Sequence, residues 1–320
     1  MRAIGGELEL KAYSSNSYFT DSGRSSLRLF LRSLNNKDKK YLIPDFYCSV
    51  IESVFIEENI NYSFYKINKN LTFDEKEILK NDFDVLYIIN YFGIKMEVNS
   101  STFEDKIIIE DNVFFNNFDN SSKYKNWFAF NSFRKISQLS SGSLIKTNLN
   151  LDLDLIRNCD ASFHNLKNIA KNIKYEFVNN NLFSEEEYLN KLNEAENKIN
   201  LQKDIYSMNS DCISHLISLD IKAEQIIRKK RFKQLFEIFP NECISKESLY
   251  YSFFIISIKN RDNFRKLLIN NNIFLPIHWP KNHINNSLYD TIISIPLFSI
   301  YKDKEFDHLL TKIKDVYEKL

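Results

Sequence analysis

The stretch from residue 106 to residue 147, KIIIEDNVFFNNFDNSSKYKNWFAFNSFRKISQLSSGSLIKT, decides the fold. Its first apolar run, residues 107 to 109, predicts a buried strand that ends in an acid pair containing Asp111. A second apolar strand, residues 127 to 130, leads directly into Ser132 and Lys135. An acid at the end of one strand and a lysine just past the next can meet in one crevice of an open sheet, where α/β folds bind ligands. Asp111 and Lys135 are therefore the predicted catalytic pair.

The sequence before this stretch alternates between predicted strands and helices. Strands are predicted at residues 41 to 43 and 62 to 67, and a helix at residues 49 to 58 lies between them. The run DVLYIINYFG, residues 84 to 93, is almost wholly apolar, as a strand covered on both faces must be. This alternation predicts an α/β fold with a mostly parallel sheet, and residues 1 to 20 are expected to form an arm on it.

A serine-rich turn precedes the first predicted helix. Asp21, Ser22, Gly23, Arg24 and Ser25 lead into an apolar helical pattern that continues to about residue 34. The backbone N–H groups, the hydroxyls and the positive end of the helix dipole at such a turn suit a phosphate. The same residues also fit an ordinary helix cap with a surface arginine, and the turn alone leaves both interpretations open.

The second half of the chain is predicted to be helical and then mixed. Residues 148 to 235 have a helix-forming composition, including one long helix over residues 217 to 237 whose RKKR run at 228 to 231 should face solvent. His164 and His215 have no partner at ligand spacing and are expected at a surface or interface. From residue 240 the pattern changes to strands and helices of a small α+β unit. We expect a large domain at 1–235 and a small C-terminal domain at 236–320.

Composition excludes several classes of protein. The 43 basic and 42 acidic residues balance, so no overall charge directs the chain to nucleic acid or to an anionic membrane. The four cysteines are widely spread without a CxxC pair, which favours neither a metal site nor a disulfide framework. No apolar run has membrane-spanning length, and the first residues lack the apolar core of a signal peptide. A soluble cytoplasmic protein is the resulting expectation, with either a neutral small molecule or a protein as its partner.

Six motifs occur in an order that resembles one enzyme family. They are SGRSSL, IPDFYCSV, NYFG, IIEDN, SFRK with SSGSLI, and PIHWP. This order resembles the DegT/DnrJ/StrS-type sugar aminotransferases, which are pyridoxal 5'-phosphate (PLP) enzymes of fold type I, related to aspartate aminotransferase. The resemblance covers most of the chain from about residue 5. It implies a three-layer α/β/α fold, a PLP cofactor and a homodimer with a shared active site.

The resemblance also implies roles for the predicted pair. Lys135 falls where the family has the lysine that forms a Schiff base with PLP and later moves the proton. Asp111 falls where an acid pairs with the pyridinium nitrogen of the cofactor. The resemblance implies three further kinds of cofactor contact. The phosphate would be bound by Gly23, Arg24, Ser25 and Ser132. Either Phe46 or Tyr47 would stack on the cofactor ring, and Asn209 would reach the phosphate in the neighbouring subunit.

Substrate-side residues follow the family pattern less closely. His278 and Trp279 resemble a segment facing the entrance of the active site, although simple packing of the small domain explains them equally well. Where the family usually has Gln or His this chain has Phe114, and its glycine-rich loop is reduced to Ser140–Ser143. The resulting hypothesis is an aminotransferase that moves an amino group, from glutamate, to a nucleotide-linked keto sugar in polysaccharide or glycan biosynthesis. The alternatives are a PLP-dependent lyase and a degenerate, non-catalytic dimeric scaffold.

Overall fold

A central sheet of seven strands organises the part of the chain that the computed structural model describes, namely residues 17–34, 38–116, 118, 123–244 and 250–320. The strands of this sheet are β1 (Ser17–Thr20), β2 (Lys40–Pro44), β3 (Asn61–Tyr65), β4 (Val85–Ile89), β5 (Ile107–Asn112), β6 (Asn126–Asn131) and β7 (Ser143–Thr147). Their order in the sheet is β1-β7-β6-β5-β4-β2-β3. Neighbours from β3 through β6 pair in parallel, whereas β7 is antiparallel to β6 and β1 is antiparallel to β7. The predicted mostly parallel sheet is therefore confirmed.

The central strands are apolar because both faces of the sheet are covered. Every residue of β4 is buried, and β5 and β6 are buried over all but their first residue. Helices flank the sheet, and the last of them lie in the C-terminal part. They are α1 (Gly23–Ser33), α2 (Ser49–Glu57), α3 (Glu75–Ile78), α4 (Ala161–Asn180), α5 (Glu185–Leu201), α6 (Ser210–Ser218), α7 (Ile221–Ile238), α8 (Arg261–Ile269), α9 (Leu288–Thr291) and α10 (Asp303–Tyr317).

The amino end of β1 and the helical region differ from prediction. Residues 17–20 form an edge strand of the sheet and not an arm, while residues 1–16 of the predicted arm lie outside the described residues. The expected long helix at 217–237 is confirmed as α7 except for its start at Ile221, because residues 217–218 end α6 and the chain turns at residues 219–220, where Asp220 caps α7. The predicted solvent-facing basic run is also wrong in part, since Arg228 and Arg231 are each only 2% exposed.

The C-terminal part has a hydrophobic core of its own. Strands β10 (Phe253–Ser257) and β11 (Ile292–Pro296) form an antiparallel pair against which α8 and α10 pack. The predicted extended run at 273–280 contains no strand. The core begins at Phe232 in α7, and Arg228 ties that helix to the main body by donating to the Ile136 carbonyl at 2.8 Å. The division of the chain after residue 235 stays a prediction.

A small pairing completes the main body. Strands β8 (Ile156–Arg157) and β9 (Ile205–Tyr206) pair in parallel, and the Asp21 N–H, just before α1, donates to the Tyr206 carbonyl at 2.9 Å. The α4–α5 hairpin is inserted between β8 and β9 in the chain. Its second helix begins with a reciprocal capping box between Ser184 and Glu187. Arg134, in the turn after β6, pairs with Glu196 of α5 at 3.0 Å, which places the hairpin beside that turn.

Candidate active site

A cavity of about 220 Å³ lies at the carboxyl ends of the parallel strands. Asp111 from the end of β5 and Lys135 from the turn after β6 both line it. Ser132, Gly23 and Arg24 line the same cavity. The two residues predicted from strand ends are therefore brought together, as parallel pairing of β5 with β6 requires.

Asp111 is held by two hydrogen bonds at the floor of the cavity. The Tyr87 hydroxyl donates to its Oδ2 at 2.7 Å, and the Val113 N–H donates to its Oδ1 at 3.0 Å. The side chain is 3% exposed, and burial raises its pKa to about 6, although both hydrogen bonds act in the opposite direction. A buried carboxylate with a raised pKa is strongly stabilised in its charged form by a cationic partner inside the cavity.

Lys135 ends a short 3₁₀ turn, Phe133–Lys135, that begins immediately after β6. The charge of Arg134, together with burial, lowers the pKa of the Lys135 amine to about 8, while Cys48 and Glu196 oppose this change. The Lys135 side chain is exposed to solvent along the cavity, although many protein atoms lie around its amine. A larger neutral fraction of the amine near neutral pH makes it a better nucleophile and proton acceptor than an ordinary surface lysine.

Cationic side chains dominate one part of the lining, which we call the cationic half: Arg24, Arg134, Lys135 and Glu196. Glu196 pairs with Arg134 at 3.0 Å and with Lys167 at 2.6 Å. Burial works against ionisation of Glu196, yet Arg134 and Lys167 hold its pKa down at about 2. Burial and Arg134 lower the pKa of Arg24 to about 10, and its Nε has no hydrogen-bond partner among the described residues. An anionic ligand would satisfy this group.

The N-terminus of α1 adds backbone donors to the cationic half. Ser22 caps the helix, since its hydroxyl accepts from the Ser25 N–H at 3.2 Å, and the first turn contains no acid. Gly23 lies so close to β6 that an added methyl group would meet the Asn131 carbonyl oxygen at 3.2 Å and the Phe130 ring at 3.3 Å. The first N–H groups of a helix have no partner within it, so this turn offers donors to a phosphate.

Aromatic side chains form another part of the lining, which we call the aromatic half: Phe114, His278 and Trp279. The Phe114 ring lies 5.7 Å from the His278 ring and 6.4 Å from the Trp279 ring, measured between centroids. The Ser294 hydroxyl pairs with His278 Nδ1 at 2.9 Å. Burial and the charge of Lys135 lower the pKa of His278 to about 3, so the ring is neutral at physiological pH.

Four predicted site residues do not line the cavity. Phe46 and Tyr47 are fully buried behind its wall, and the residue of their segment that reaches the cavity is Cys48. Ser25 is fully buried beneath the turn, where its hydroxyl pairs with that of Ser22 at 3.3 Å. Asn209 caps α6, and its side chain accepts from the Asp211 N–H at 2.8 Å. A role for Asn209 in a second subunit stays a prediction.

Sequence reasoning missed three polar residues of the cavity. Arg134 could have been noticed, because it stands beside the predicted lysine. Cys48 follows directly on the two aromatic residues proposed for ring stacking. Glu196 gave no signal, since it is one of five acids in SEEEYLNKLNEAENKINL. Among the described residues, no group of three or more His, Cys, Asp or Glu could hold a metal ion. Within the same residues, no helix combines the length and apolar character needed to cross a bilayer.

Comparison with known proteins places the fold. No protein-family model and no curated protein sequence matches the chain. Solved structures do: the sugar aminotransferase CalS13 from Micromonospora echinospora matches with a TM-score of 0.61 and 9% identity over 93% of this chain and 87% of that one. A DegT DnrJ EryC1 StrS aminotransferase from Brucella abortus gives 0.57 and 13% over 93% and 85%. NtdA from Bacillus subtilis, with bound cofactor PMP, gives 0.63 and 13% over 94% and 73%.

These likenesses establish the architecture of the chain. It has the fold of PLP-dependent transferases of fold type I, in the form seen in sugar aminotransferases, as the six motifs predict. Sequence identity of 9% to 13% marks the chain as divergent from these proteins. What the site binds and does must be argued from its own residues.

Proposed function

We propose that this chain is a PLP-dependent aminotransferase that moves an amino group, from glutamate, to a nucleotide-linked keto sugar in polysaccharide or glycan biosynthesis. One observation carries the proposal: a buried carboxylate, Asp111, and a lysine with a depressed pKa, Lys135, line one cavity at the carboxyl edge of a fold-type-I sheet. The fold of the chain and the anion-seeking character of the cationic half support it.

The residues of the cavity fit pyridoxal phosphate. Gly23, Arg24 and Ser132 would hold the phosphate, because they offer helix N-terminal donors, a guanidinium without a partner at Nε, and a hydroxyl. Asp111 would pair with the pyridine nitrogen and keep it protonated, since within the described part of the chain its buried carboxylate is bonded by Tyr87 and Val113 and by no cation. When bound, the cofactor supplies the electron sink that amino-group transfer requires.

Lys135 would serve as nucleophile and proton carrier. Its amine loses its proton near pH 8, so a usable fraction is neutral under physiological conditions and can attack a carbonyl carbon. Whenever the amine is free, it could take a proton from one carbon of the reacting molecule and return it to another, because the side chain remains in the cavity. Tyr87 and Val113 hold Asp111 in place meanwhile.

The wider setting follows from the same proposal. We expect a cytoplasmic homodimer in which Asn209 of one subunit reaches the phosphate of the other, and small-molecule substrates that meet His278 and Trp279 at the aromatic half. The neutral His278 ring can donate a hydrogen bond to a sugar hydroxyl or accept one from it, and this contact requires no charge on the substrate. Light scattering of the purified chain tests the dimer, with a monomer mass as the contrary outcome.

Absorbance spectroscopy tests the proposed function directly. The purified chain, incubated with PLP, should show a visible band that borohydride abolishes, and peptide mass spectrometry should find the reduced pyridoxyl group on Lys135. Lys135→Ala should lose both signals, and its turnover should fall by about 10²–10⁴-fold or more. Exposed Lys125 provides the control, because Lys125→Ala should retain both signals. A pyridoxyl group on other lysines alone would overturn the proposal.

Glutamate then separates the remaining alternatives. An aminotransferase converts the cofactor to its pyridoxamine form and releases 2-oxoglutarate, which a coupled dehydrogenase detects. A lyase would instead consume an amino acid without storing the amino group. A chain that gains no band at any PLP concentration would be the non-catalytic scaffold.

A further inference from the structure

Four polar residues of α4 lie on one face of the helix, and we call them the polar stripe: His164, Lys167, Asn168 and Lys171. Their spacing of i, i+3, i+4 and i+7 puts them on adjacent turns of one side. None was singled out for function by its sequence pattern, and His164, expected at a surface or interface, is in fact 6% exposed. The side chains of His164, Asn168 and Lys171 contact the segment that carries Lys135. The side chain of Lys167 contacts Glu196, which in turn pairs with Arg134 of that segment.

The segment that carries Lys135 comprises residues 133 to 141, and we call it the lysine segment. Lys171 Nζ donates to the carbonyls of Gln138 at 2.8 Å and Leu139 at 3.0 Å. The Ser140 hydroxyl donates to Asn168 Oδ1, and Asn168 Nδ2 lies 2.8 Å from His164 Nε2. Two backbone carbonyls and one side chain of the segment are thus anchored to α4.

His164 extends the anchor to a third element. Its Nδ1 lies 3.2 Å from the Cys212 Sγ of α6 and 3.5 Å from the Ser141 hydroxyl, which is itself 3.3 Å from that sulfur. Cys212 and Ser141 are buried as well. Burial lowers the pKa of His164, which favours the neutral ring that can accept one hydrogen bond and donate another.

Lys167 acts on the segment through Glu196 of α5. Both Lys167 Nζ and Arg134 Nη1 contact Glu196 Oε1, at 2.6 Å and 3.0 Å. The carboxylate therefore fixes the guanidinium immediately before Lys135. The two ends of the lysine segment are also brought together, because the N–H of its first residue, Phe133, donates at 3.0 Å to the carbonyl of Gly142, the residue that follows its last. Movement of residues 138 to 141 would reach Lys135 through this turn.

We propose that the polar stripe of α4, together with Glu196, is the positioning device of the lysine segment: it fixes Arg134 and residues 138 to 141, and thereby the place of the Lys135 amine in the cavity. The role assigned to Lys135 rests on the proposed function, but its anchoring does not. The stripe residues are positioning residues, since only Glu196 among these anchors reaches the cavity.

The charges around Lys135 make the anchoring measurable without cofactor. The titratable side chains that line the cavity with it are Arg24, Cys48, Tyr87, Asp111, Arg134, Glu196 and His278. Glu196 is the carboxylate that compensates Arg134. Its loss should therefore lower the pKa of Lys135 further, by roughly one unit.

The first experiment titrates Lys135 in the full chain stripped of cofactor. Trinitrobenzenesulfonate labelling across pH 6–11, quantified on the Lys135 peptide, should give a midpoint near 8 for the natural chain and a lower one for Glu196→Gln. Glu194→Gln is the matched control, because Glu194 pairs with Lys191 at 2.6 Å on the same helix and is 51% exposed. Equal midpoints for both variants would overturn the electrostatic part of the proposal.

The second experiment measures amide hydrogen exchange of residues 133 to 141. Lys171→Met and Asn168→Leu should accelerate exchange in this segment by about tenfold or more, while Lys171→Arg, which can still donate to two carbonyls, should restore protection. Lys174→Met, on the same helix, should change nothing there. Unchanged exchange in folded Lys171→Met and Asn168→Leu would overturn the proposal.

The two readouts also keep the hypotheses apart. If Glu196→Gln fails to fold, Glu196→Asp replaces it in the titration, and the exchange rates of Lys171→Met and Lys171→Arg test the anchoring. If PLP never attaches to Lys135 while both readouts behave as expected, the proposed function fails and the positioning device stands. If PLP attaches to Lys135 but neither the labelling midpoint nor the amide exchange changes in the variants, the positioning device is refuted and the proposed function stands.

Discussion

The cationic half and the aromatic half of the cavity are held in place by different forces. In the cationic half, Arg134 and Lys135 depend on polar contacts with α4 and α5. In the aromatic half, Trp279 lies 5.1 Å from the Phe46 ring and 6.2 Å from the Phe92 ring, so packing holds it. Ion pairs lose strength with salt and depend on pH, whereas packing depends on shape.

This difference indicates how ligand chemistry is divided within the cavity. Three cations with one paired carboxylate prepare the cationic half for an anion, since Arg24 Nε has no partner among the described residues. The aromatic half offers a neutral imidazole and ring faces, which suit an uncharged ligand surface. The phosphorylated cofactor and the uncharged sugar ring of the proposed function would fit this division. Four predictions test it, ordered by expected effect.

Replacing the tryptophan of the aromatic half should cause the largest loss of stability. Trp279 is 8% exposed, so Trp279→Ala leaves a cavity that the surrounding rings cannot fill. The free energy of unfolding should fall by about 3–5 kcal/mol, measured by urea denaturation. Trp279→Phe, which keeps a ring, should lose much less. A loss below about 1 kcal/mol for the alanine variant would mean that packing does not hold this half.

Removing a charge from the cationic half should weaken cofactor binding and not stability. Arg24→Met keeps the apolar stem of the side chain but removes a donor to the phosphate. The Kd for PLP should rise by about 10–30-fold, corresponding to one hydrogen bond to a charged group, while the Kd for pyridoxal, which lacks the phosphate, should not change. Arg32→Met on the same helix is the control, because Arg32 pairs with Glu58 at 2.6 Å. Equal loss for PLP and pyridoxal would place Arg24 elsewhere.

Asp111→Asn should stabilise the cofactor-free chain at neutral pH. The carboxyl ionises near pH 3.8 when unfolded and near 6 when folded, so the folded state keeps an extra proton between these values. Stability therefore falls as pH rises through this window, and the cost of the buried charge is fully present above pH 6. We expect a gain on the order of 1–2 kcal/mol at pH 8 and none near pH 3, from denaturant titrations. A less stable variant at pH 8 would contradict this.

The main features of the cavity could be predicted because they follow from chain-local patterns. Asp111 and Lys135 stand at the ends of apolar strands, and parallel strands end at one edge, so strand prediction alone brings them near each other. The Ser22–Ser25 turn is a helix cap formed by four consecutive residues. Local order and the alternation of elements therefore suffice for the sheet, the crevice and the predicted pair.

The anchors of the cavity could not be predicted, because their partners are distant in sequence. His164 is buried by Cys212 and Ser141, which lie 48 and 23 positions away. Arg228 contacts the Ile136 carbonyl 92 positions away, and nothing in RKKR distinguishes it from its exposed neighbour Lys230. Phe46 and Tyr47 are buried while the adjacent Cys48 lines the cavity, a difference that the order of the three residues does not reveal. Such outcomes depend on tertiary packing, which composition and periodicity do not contain.

The smallest predicted effect concerns His278, whose pH dependence should have the opposite sign to that of Asp111. An ordinary histidine has a pKa of 6.5, and this one is lowered to about 3, so between these values the unfolded chain binds a proton that the folded chain lacks. Stability therefore falls as pH drops from 6.5. His278→Gln, which can still bond Ser294, should reduce the loss between pH 8 and pH 5 by under about 1 kcal/mol, since the cavity screens the ring.

The control for His278 is an exposed histidine of the C-terminal helix. His308→Gln should leave the loss between pH 8 and pH 5 as it is in the natural chain, because His308 is exposed. If His278→Gln behaves like His308→Gln, the His278 ring is charged or solvated at pH 5, and the aromatic half is not the neutral surface argued above. If His278→Gln removes the fall in stability below pH 6.5 while Asp111→Asn removes the opposite change between pH 3.8 and pH 6, the two buried groups titrate independently of each other.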